Sequence, residues 1–266
     1  MPKATAVRAK TKGKGRPRIP PPPVIRDEVR IERIDDRSTP VRGSSTRPPK
    51  RATRSKRDRP TIDVADVDFG DVPAATATKL GQRLVQAAAA FEAERFTQAE
   101  RLLDSIDRLA PGVPELYELR ALTHYRLGRW MKAIADLQRF YDLTGSVEQH
   151  PVWADCCRAL RRWSRAEELW RELGDASPSA ELVEEGRIVQ AGGLADRGRL
   201  DEAIQLLERA PKPGRRPGIH HLRRWYALGD LYERTGDLAH SRRVFGDVLT
   251  VEPDFGDVAE RVASLG

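Results

Sequence analysis

Apolar residues recur at the three- and four-residue spacing of amphipathic helices from about position 77 to the C-terminus, and short polar turns separate the segments. In the last segment, Val258, Val262 and Leu265 fall on one helical face with charged residues between them. The spacing and the turn residues together predict an all-α fold. The predicted helices are 77–93, 96–109, 114–127, 130–143, 149–161, 163–174, 179–196, 200–210, 218–235, 238–251 and 254–265.

These helices pair up, and small residues recur at two positions of each pair. One lies in the first helix, and the other follows twelve residues later in the second helix. The pairs are Ala87 and Ala99, Ala121 and Ala133, Ala154 and Ala166, Ala191 and Ala203, and Gly229 and Ser241. Successive second-helix positions are 34, 33, 37 and 38 residues apart. Because small side chains let two helices cross closely, each pair is predicted to be a helical hairpin.

Other positions of the hairpin repeat as well. A glycine ends the first helix at Gly128, Gly198 and Gly236, because glycine adopts the left-handed conformation that such a turn needs. The first and third hairpins have Glu94 and Arg161 there, so we expect irregular turns at those two positions. The residues that close the second helices are Pro111, Gly145, Pro178, Arg215 and Pro253. The large apolar residues expected in the seams between hairpins are Leu103, Leu137, Trp170, Leu207 and Phe245.

The last hairpin carries the fullest signature, which is Trp225, Leu228, Gly229, Tyr232, Ser241, Phe245 and Pro253. This set resembles the tetratricopeptide-repeat (TPR) pattern W-x2-L-G-x2-Y…A-x3-F…P, with serine in the place of the alanine. The resemblance covers residues 77–266 and implies a TPR-like α-solenoid of about five helix hairpins, with 254–265 as a capping helix. Segments such as 150–160 (HPVWADCCRAL) also resemble uncharacterised repeat proteins of high-GC Gram-positive bacteria, a group with no assigned activity.

Two helix starts carry cap signals. Thr97 and Glu100 have the spacing of a capping box, in which each side chain bonds the backbone N–H of the other residue. Ser177 followed by Pro178 is typical of an N-cap with a proline in the first turn. Both pairs are expected to cap the helices that start there.

The first 60 residues differ in composition from the helical part. They hold 19 Lys and Arg against 6 Asp and Glu, a net charge of +13, so the rest of the chain carries −6 of the total of +7. With ten prolines and no aromatic residue, they cannot bury enough apolar surface to offset the entropy lost on folding. Residues 1–60 are therefore predicted to be a disordered basic tail, in which 24–39 is either a solvated linker or a segment that folds on a partner. Residues 61–76 are an acidic linker that either docks on the first helix or pairs with the tail.

Two clusters of basic residues in the tail, at 10–18 and 47–59, have two possible roles. They either contact nucleic-acid phosphates in a salt-sensitive and sequence-independent way or only keep the chain soluble. Because the tail has no aromatic residue to stack on bases, sequence-specific recognition of nucleic acid is not expected.

The sequence contains no recognisable catalytic motif and no recognisable metal-binding motif. GKGRP at 13–17 is not a phosphate-binding loop, and no histidine has metal-ligand spacing with a cysteine or carboxylate. His124 is expected to be a satisfied, half-buried histidine, and Cys156 and Cys157 to be buried thiols rather than a vicinal disulfide. We therefore predict no enzyme activity, no cofactor and no metal. Without a bilayer-length apolar stretch or a secretory signal, a cytoplasmic location without membrane contact is expected.

The resemblance to TPR proteins implies that the first helix of each hairpin lines a concave face. Three aromatic residues correspond to positions on that face, namely Phe91, Tyr125 and Tyr226. They either anchor a partner or only complete the packing of the helices.

An arginine cluster is a second candidate for partner binding. Its members are Arg158, Arg161, Arg162 and Arg165 in the third hairpin, and Arg215, Arg216, Arg223 and Arg224 at the entry to the fifth. The first four have the i, i+3, i+4, i+7 spacing of one helix face. If the two groups converge, they bind phosphate or an acidic peptide; otherwise they pair with neighbouring glutamates.

These patterns favour a non-enzymatic scaffold or adaptor that binds a protein or peptide partner on the concave face. The alternative is a nucleic-acid- or ribosome-associated factor that uses the basic tail at 1–60. The carboxylate clamp of chaperone-binding TPR proteins needs asparagines, and the chain has none, so that function is not expected.

Overall fold

The computed structural model describes residues 67–176 and 178–265, in which the regular secondary structure is helical throughout. The first helices of the hairpins are α1 (Ala74–Glu92), α3 (Pro114–Arg126), α5 (His150–Ala159), α7 (Ala180–Asp196) and α9 (Ile219–Thr235). The second helices are α2 (Phe96–Asp107), α4 (Trp130–Thr144), α6 (Trp163–Ala176), α8 (Leu200–Glu208) and α10 (Leu238–Val251), and α11 (Val258–Ser264) follows. The predictions for 1–60, for 61–66 and for Ser177 lie outside the described residues.

The helices pack as a row of hairpins. Each first helix packs against the second helix of its own hairpin, and each second helix packs against the first helix of the next one. Helix α11 packs on α10 and closes the C-terminal end of the row. For the described residues, this arrangement confirms the predicted all-α, TPR-like solenoid with a capping helix.

The predicted helix ends lie within two residues of the observed ones except at the two ends of the row. Helix α1 begins at Ala74 rather than at 77, and α11 begins at Val258 rather than at 254. The second difference arises because the chain before α11 makes tight turns. In them the N–H of Phe255 donates to the Glu252 carbonyl oxygen, and the N–H of Val258 donates to that of Phe255.

The small residues predicted at the helix crossings are all buried. They are Ala87, Ala99, Ala121, Ala133, Ala154, Ala166, Ala191, Ala203, Gly229 and Ser241. A Cβ at Gly229 would lie 2.7 Å from Phe245, so no larger residue fits there without moving the ring. Ser241 replaces the usual alanine without leaving an unpaired polar group in the core, because its hydroxyl donates a hydrogen bond of 2.9 Å to the Gly229 carbonyl oxygen.

The hairpin turns share one backbone geometry, including the two turns without glycine. Glu94 and Arg161 have φ angles of 59° and 57°. The glycines at the same position have φ between 71° and 81°, and they are Gly128, Gly198 and Gly236. In each turn the next residue donates its N–H to the carbonyl five positions earlier. The expectation of irregular turns at Glu94 and Arg161 is therefore wrong, because this hydrogen bond holds both residues in the left-handed region.

The capping box expected at Thr97 and Glu100 does not form. Helix α2 begins at Phe96, and its N-cap residue, Arg95, makes no side-chain hydrogen bond. Glu100 is buried instead and binds side chains of the second hairpin. Helix α7 begins at Ala180 with Ser179 as its N-cap, whose hydroxyl oxygen accepts a hydrogen bond of 3.2 Å from the Leu182 N–H. The expected cap with Pro178 in the first turn is therefore wrong, because Pro178 precedes the N-cap residue.

The residues directly before α1 lie across its surface. Val67, Phe69 and Val72 pack with apolar side chains of the first hairpin, and Phe69 is buried. Of the two expectations for the linker 61–76, docking on the first helix is confirmed for residues 67–73, whereas 74–76 belong to α1 itself.

A buried polar network joins the first two hairpins. His124 on α3 places Nδ1 2.7 Å from Asp136 Oδ2 on α4 and Nε2 3.2 Å from Glu100 Oε1 on α2. Asp136 also accepts a hydrogen bond of 2.7 Å from Arg120, which donates to Asp107 at 2.8 Å. The expectation of a satisfied histidine is confirmed, and with 4% of its surface exposed His124 is buried rather than half-buried.

Candidate binding face

The first helices of the hairpins form one continuous side of the row, which we call the inner face. Successive first helices contact one another, most extensively α5 with α7 and α7 with α9. Within the described residues, contacts of that extent do not join successive second helices. The side on which neighbouring elements come closest is the inside of the curve of a solenoid.

A chain of hydrogen bonds crosses the inner face over three hairpins. Tyr125 on α3 donates a bond of 2.6 Å to Asp155 Oδ2 on α5. Arg158 Nε donates at 2.8 Å to the other oxygen of Asp155, and Arg158 Nη1 donates at 3.1 Å to Asp196 at the end of α7. None of these four side chains is buried. They are therefore held in fixed positions at the surface, which reduces the entropy cost of binding a partner.

Arg158 lies in a notch made by two adjacent glycines of α7. A Cβ at Gly192 would lie 2.7 Å from Nη1 of Arg158, and a Cβ at Gly193 would lie 3.9 Å from its Cδ. The guanidinium occupies the space that side chains would fill on that turn. Burial lowers the pKa of Arg158, but the charges of Asp155 and Asp196 outweigh it, so the pKa is raised and the group stays cationic.

A second polar cluster lies where α11 meets α9. Tyr226 donates a hydrogen bond to Asp257, directly before α11. Arg261 on α11 donates at 2.6 Å to Glu233 and at 3.4 Å to Asp230, and its guanidinium lies 5.6 Å from the centre of the Tyr226 ring. Burial, together with the hydrogen bond to Asp257, raises the pKa of Tyr226 to about 12. Tyr226 thus holds the capping helix in place.

The predicted aromatic anchors all pack edge to face on an aromatic side chain of the second helix of their own hairpin. The pairs are Phe91 with Phe96 at 5.5 Å between centroids, Tyr125 with Trp130 at 5.4 Å, and Tyr226 with Phe245 at 5.3 Å. Each of the three nevertheless keeps part of its surface exposed. Their packing role is established by these contacts, and an anchoring role stays a prediction.

The arginines of the third hairpin do not share one helix face. Their positions are Arg158 on α5, Arg161 and Arg162 in the turn, and Arg165 on α6. The prediction of a common face is wrong, because the helix ends before Arg161 and a new one starts after Arg162. Arg165 donates to Glu168 at 3.1 Å and to Glu172 at 2.8 Å, as the pairing alternative expected.

The arginines at the entry to the fifth hairpin also pair within the solenoid. Arg223 binds Glu185, and the buried Arg224 binds Glu184 at 3.2 Å and donates to the Pro211 carbonyl oxygen at 3.0 Å. The exposed members are Arg215 and Arg216, in the loop before α9. This group therefore chiefly neutralises carboxylates of α7.

Near the α3 end of the inner face, negative charge is only partly neutralised. Gln149 donates a hydrogen bond of 2.7 Å to Glu118. Burial raises the pKa of Glu118, and the nearby carboxylates of Glu148 and Glu115 raise it further, against the effect of the Gln149 bond. A cationic group arriving from outside would relieve this repulsion.

The cysteines and the residue types that ligate metals complete the description of the polar groups. Cys156 and Cys157 are free and buried, as expected, and burial raises the pKa of both thiols, that of Cys157 to about 11. Over residues 67–176 and 178–265, no group of three or more His, Cys, Asp or Glu side chains is placed to hold a metal ion. In the same ranges no helix has both the length and the apolar character needed to cross a lipid bilayer.

Stacked hairpins with small residues at the crossings and one shared turn geometry are the architecture of a TPR solenoid. Solved structures agree with this class. A thermophilic TPR protein from Thermus thermophilus is 20% identical, over 70% of this chain and 98% of that one, with a TM-score of 0.52. A tetratricopeptide repeat protein from Parabacteroides merdae is 14% identical, over 70% of each chain, with a TM-score of 0.55.

The C-terminal part of a TPR repeat-containing protein from Cytophaga hutchinsonii is 15% identical, over 68% of this chain and 69% of that one, with a TM-score of 0.51. At these identities the likeness establishes the fold alone. No family profile and no curated protein matches the chain. The resemblance to proteins of high-GC Gram-positive bacteria stays a prediction.

Sequence reasoning missed several residues of the inner face. The adjacent glycines Gly192 and Gly193 inside a predicted helix were a usable signal, because glycine weakens a helix unless a close contact needs it. Asp196 and Arg261 carried no such signal, since their partners lie 38 and 28 residues away in the chain.

Proposed function

We propose that this protein is a non-enzymatic scaffold that binds a protein or peptide partner on the inner face of its solenoid. The observation that carries the proposal is the hydrogen-bonded chain from Tyr125 to Asp196, which holds polar and aromatic groups in place across three hairpins. A surface organised in advance loses less entropy when a partner binds. The TPR-like fold supports the proposal, because such solenoids present extended binding surfaces.

The charge of the inner face favours a partner segment that carries Lys or Arg. The carboxylates that make the contacts described above are Glu118, Asp155, Asp196, Asp230 and Glu233 on first helices, and Asp257 directly before α11. The arginines that pair with them are Arg158 and Arg261. Because Glu118 is paired with the uncharged Gln149 and lies near other carboxylates, its end of the face should attract cationic groups and steer their approach.

We further propose that each segment of the chain has its own role. Residues 77–266 form the binding solenoid, 254–265 close its end, 61–76 are the linker, and 1–60 add reach or a second contact. The alternative function in nucleic-acid or ribosome binding depends on 1–60, which lie outside the described residues, and it stays a prediction. A cytoplasmic location stays a prediction as well.

A matched pair of glycine substitutions tests the inner face. Gly192→Arg places a second guanidinium against Arg158 and adds positive charge to the face, whereas Gly246→Arg places one on a second helix where no atom lies within 4 Å of the new Cβ. Both replace a helical glycine, so both should leave the circular-dichroism spectrum unchanged. Proteins captured by the full-length chain, identified by mass spectrometry with and without nuclease, should be lost with Gly192→Arg and kept with Gly246→Arg.

Two results of this experiment would count against the proposal. Equal capture by both variants would exclude the inner face around Arg158 as the binding surface. Capture that disappears on nuclease treatment, or on deletion of residues 1–60 alone, would favour the nucleic-acid alternative.

A further inference from the structure

Four exposed cationic side chains lie at the turns of the second and third hairpins, and we call them the basic turn patch. Arg129 and Lys132 lie at the start of α4, and Arg161 and Arg162 form the turn between α5 and α6. Successive hairpins repeat the same order of helices, and α5 packs on both α3 and α4. The two turns are therefore neighbours on one edge of the row.

The positive charge of the basic turn patch is only partly neutralised within the solenoid. Its two members on α4 share one buried carboxylate, that of Glu100, which also contacts His124. The other two members, Arg161 and Arg162, are exposed and form no ion pair with the described residues. Because residues 61–266 carry a net charge of −6, the patch is a local excess of positive charge on an acidic body.

Local stability does not account for the residues of the patch. Arg161 has a φ of 57°, a conformation that costs free energy for any residue with a Cβ and that glycine supplies in three other turns. Arg129 is the N-cap of α4 but makes no side-chain cap hydrogen bond, and Arg162 directly precedes α6. Ser, Thr, Asp or Asn would suit those two positions better, because the start of a helix carries partial positive charge. Departures from local preference that no contact offsets indicate a role in function.

We propose that the basic turn patch binds a short segment of a partner protein that is rich in Asp or Glu. Guanidinium groups donate paired hydrogen bonds to carboxylates, so three arginines and a lysine on one edge suit several acidic side chains at once. The patch lies on the turns, whereas the inner face lies on the first helices. One solenoid thus offers two docking surfaces of opposite charge preference.

The charges beside the patch favour a short protein segment over nucleic acid. The same seven positions were compared at each turn, from two residues before the left-handed residue to four residues after it. They carry +3 at 126–132 and +3 at 159–165, but −1 at 92–98 and −1 at 196–202. Nucleic acid carries charge along its whole length, so a strand that continued past the patch would meet net negative charge on both sides. A segment with a few acidic residues ends before it reaches those turns.

Photo-cross-linking of the full-length chain tests the proposal. The probe is a hexaglutamate peptide that carries a benzophenone, and mass spectrometry locates the cross-linked residues. Cross-links should form at 127–132 and 160–165, and the double variant Arg161→Glu/Arg162→Glu should lower their yield at least several-fold. This variant should keep its circular-dichroism spectrum, because Glu94 already holds the equivalent left-handed position in the first turn.

The matched control is Arg242→Glu/Arg243→Glu, which reverses the charge of two adjacent exposed arginines on α10 and should leave the yield at the patch unchanged. An equal loss in both variants would assign the effect to net charge alone. Cross-links confined to residues 1–60 would assign the peptide to the basic tail. A benzophenone-labelled oligouridylate that cross-links to the patch more efficiently than the peptide would assign the patch to nucleic acid. Each of these three results would overturn the proposal.

Discussion

At the scale of single residues, Glu94 and Arg161 hold the left-handed conformation that glycine supplies in the other hairpin turns. For a residue with a side chain, this conformation costs about 1–2 kcal/mol, because Cβ crowds the following carbonyl oxygen. Glu94 gains an ion pair of 3.0 Å with Arg126. Arg161 is exposed and has no ion pair within the described residues, so nothing there offsets its strain.

We predict that Arg161→Gly raises the free energy of unfolding by about 0.5–1 kcal/mol, because the strain relieved exceeds the extra chain entropy of glycine in the unfolded state. Urea denaturation followed by circular dichroism measures the change. Gly128→Ala is the reverse control: it introduces the strain at an equivalent turn and should lower stability by about 1 kcal/mol. The strain argument fails if Arg161→Gly proves less stable than the parent.

At the scale of the elements, a charged network holds α2, α3 and α4 together around His124. Burial raises the pKa of Glu100, but hydrogen bonds from Arg129, Lys132 and His124 outweigh it, so the carboxyl has a lowered pKa and stays ionised. On the other side of the ring, Asp136 is buried as well. Such a network stabilises the structure only while each buried charge keeps its partners.

We predict that His124→Leu lowers the free energy of unfolding by about 3 kcal/mol, because it removes the ring whose two nitrogens contact two buried carboxylates. Urea denaturation measures the loss. His240→Leu is the control, since that ring bonds Asp237 at 2.7 Å in an exposed position and should matter little. Equal losses in the two variants would show that the buried network adds nothing beyond a surface contact.

At the scale of the whole molecule, the described chain is a row in which each hairpin contacts its neighbours. The core divides accordingly: one apolar cluster is built mainly from the first hairpin and α3, and another from α9, α10 and α11. The stability of such an array is close to a sum of local contributions. A destabilising substitution at one end of the row should therefore loosen only the hairpins close to it.

We predict that Val258→Asp loosens the C-terminal end alone, because it puts a charge into the buried contact between α11 and α10. Hydrogen exchange should speed up in α10 and α11 and stay unchanged from α1 to α4. Ala259→Asp adds the same charge at an exposed neighbouring position and should have little effect. Faster exchange along every helix would show that the solenoid unfolds as one cooperative unit.

The sequence by itself determined the number of helices in the described part, their pairing, the positions of the close crossings and the fold class. All of these follow from spacings within about 40 residues, because a helix repeats its face every three to four residues and each hairpin packs mainly on the next. The crossing residues Gly229 and Ser241 could be assigned in this way. So could the burial of Cys156 and Cys157.

Only the tertiary structure decided which polar side chains meet. Spacing placed Glu100 in a capping box and Arg158 in an arginine face, whereas the fold buries Glu100 beside His124 and binds Arg158 to Asp196. The physical reason is that a hydrogen bond between side chains depends on separations of a few tenths of an ångström. Those separations are set by how neighbouring hairpins pack, which no spacing along the chain contains.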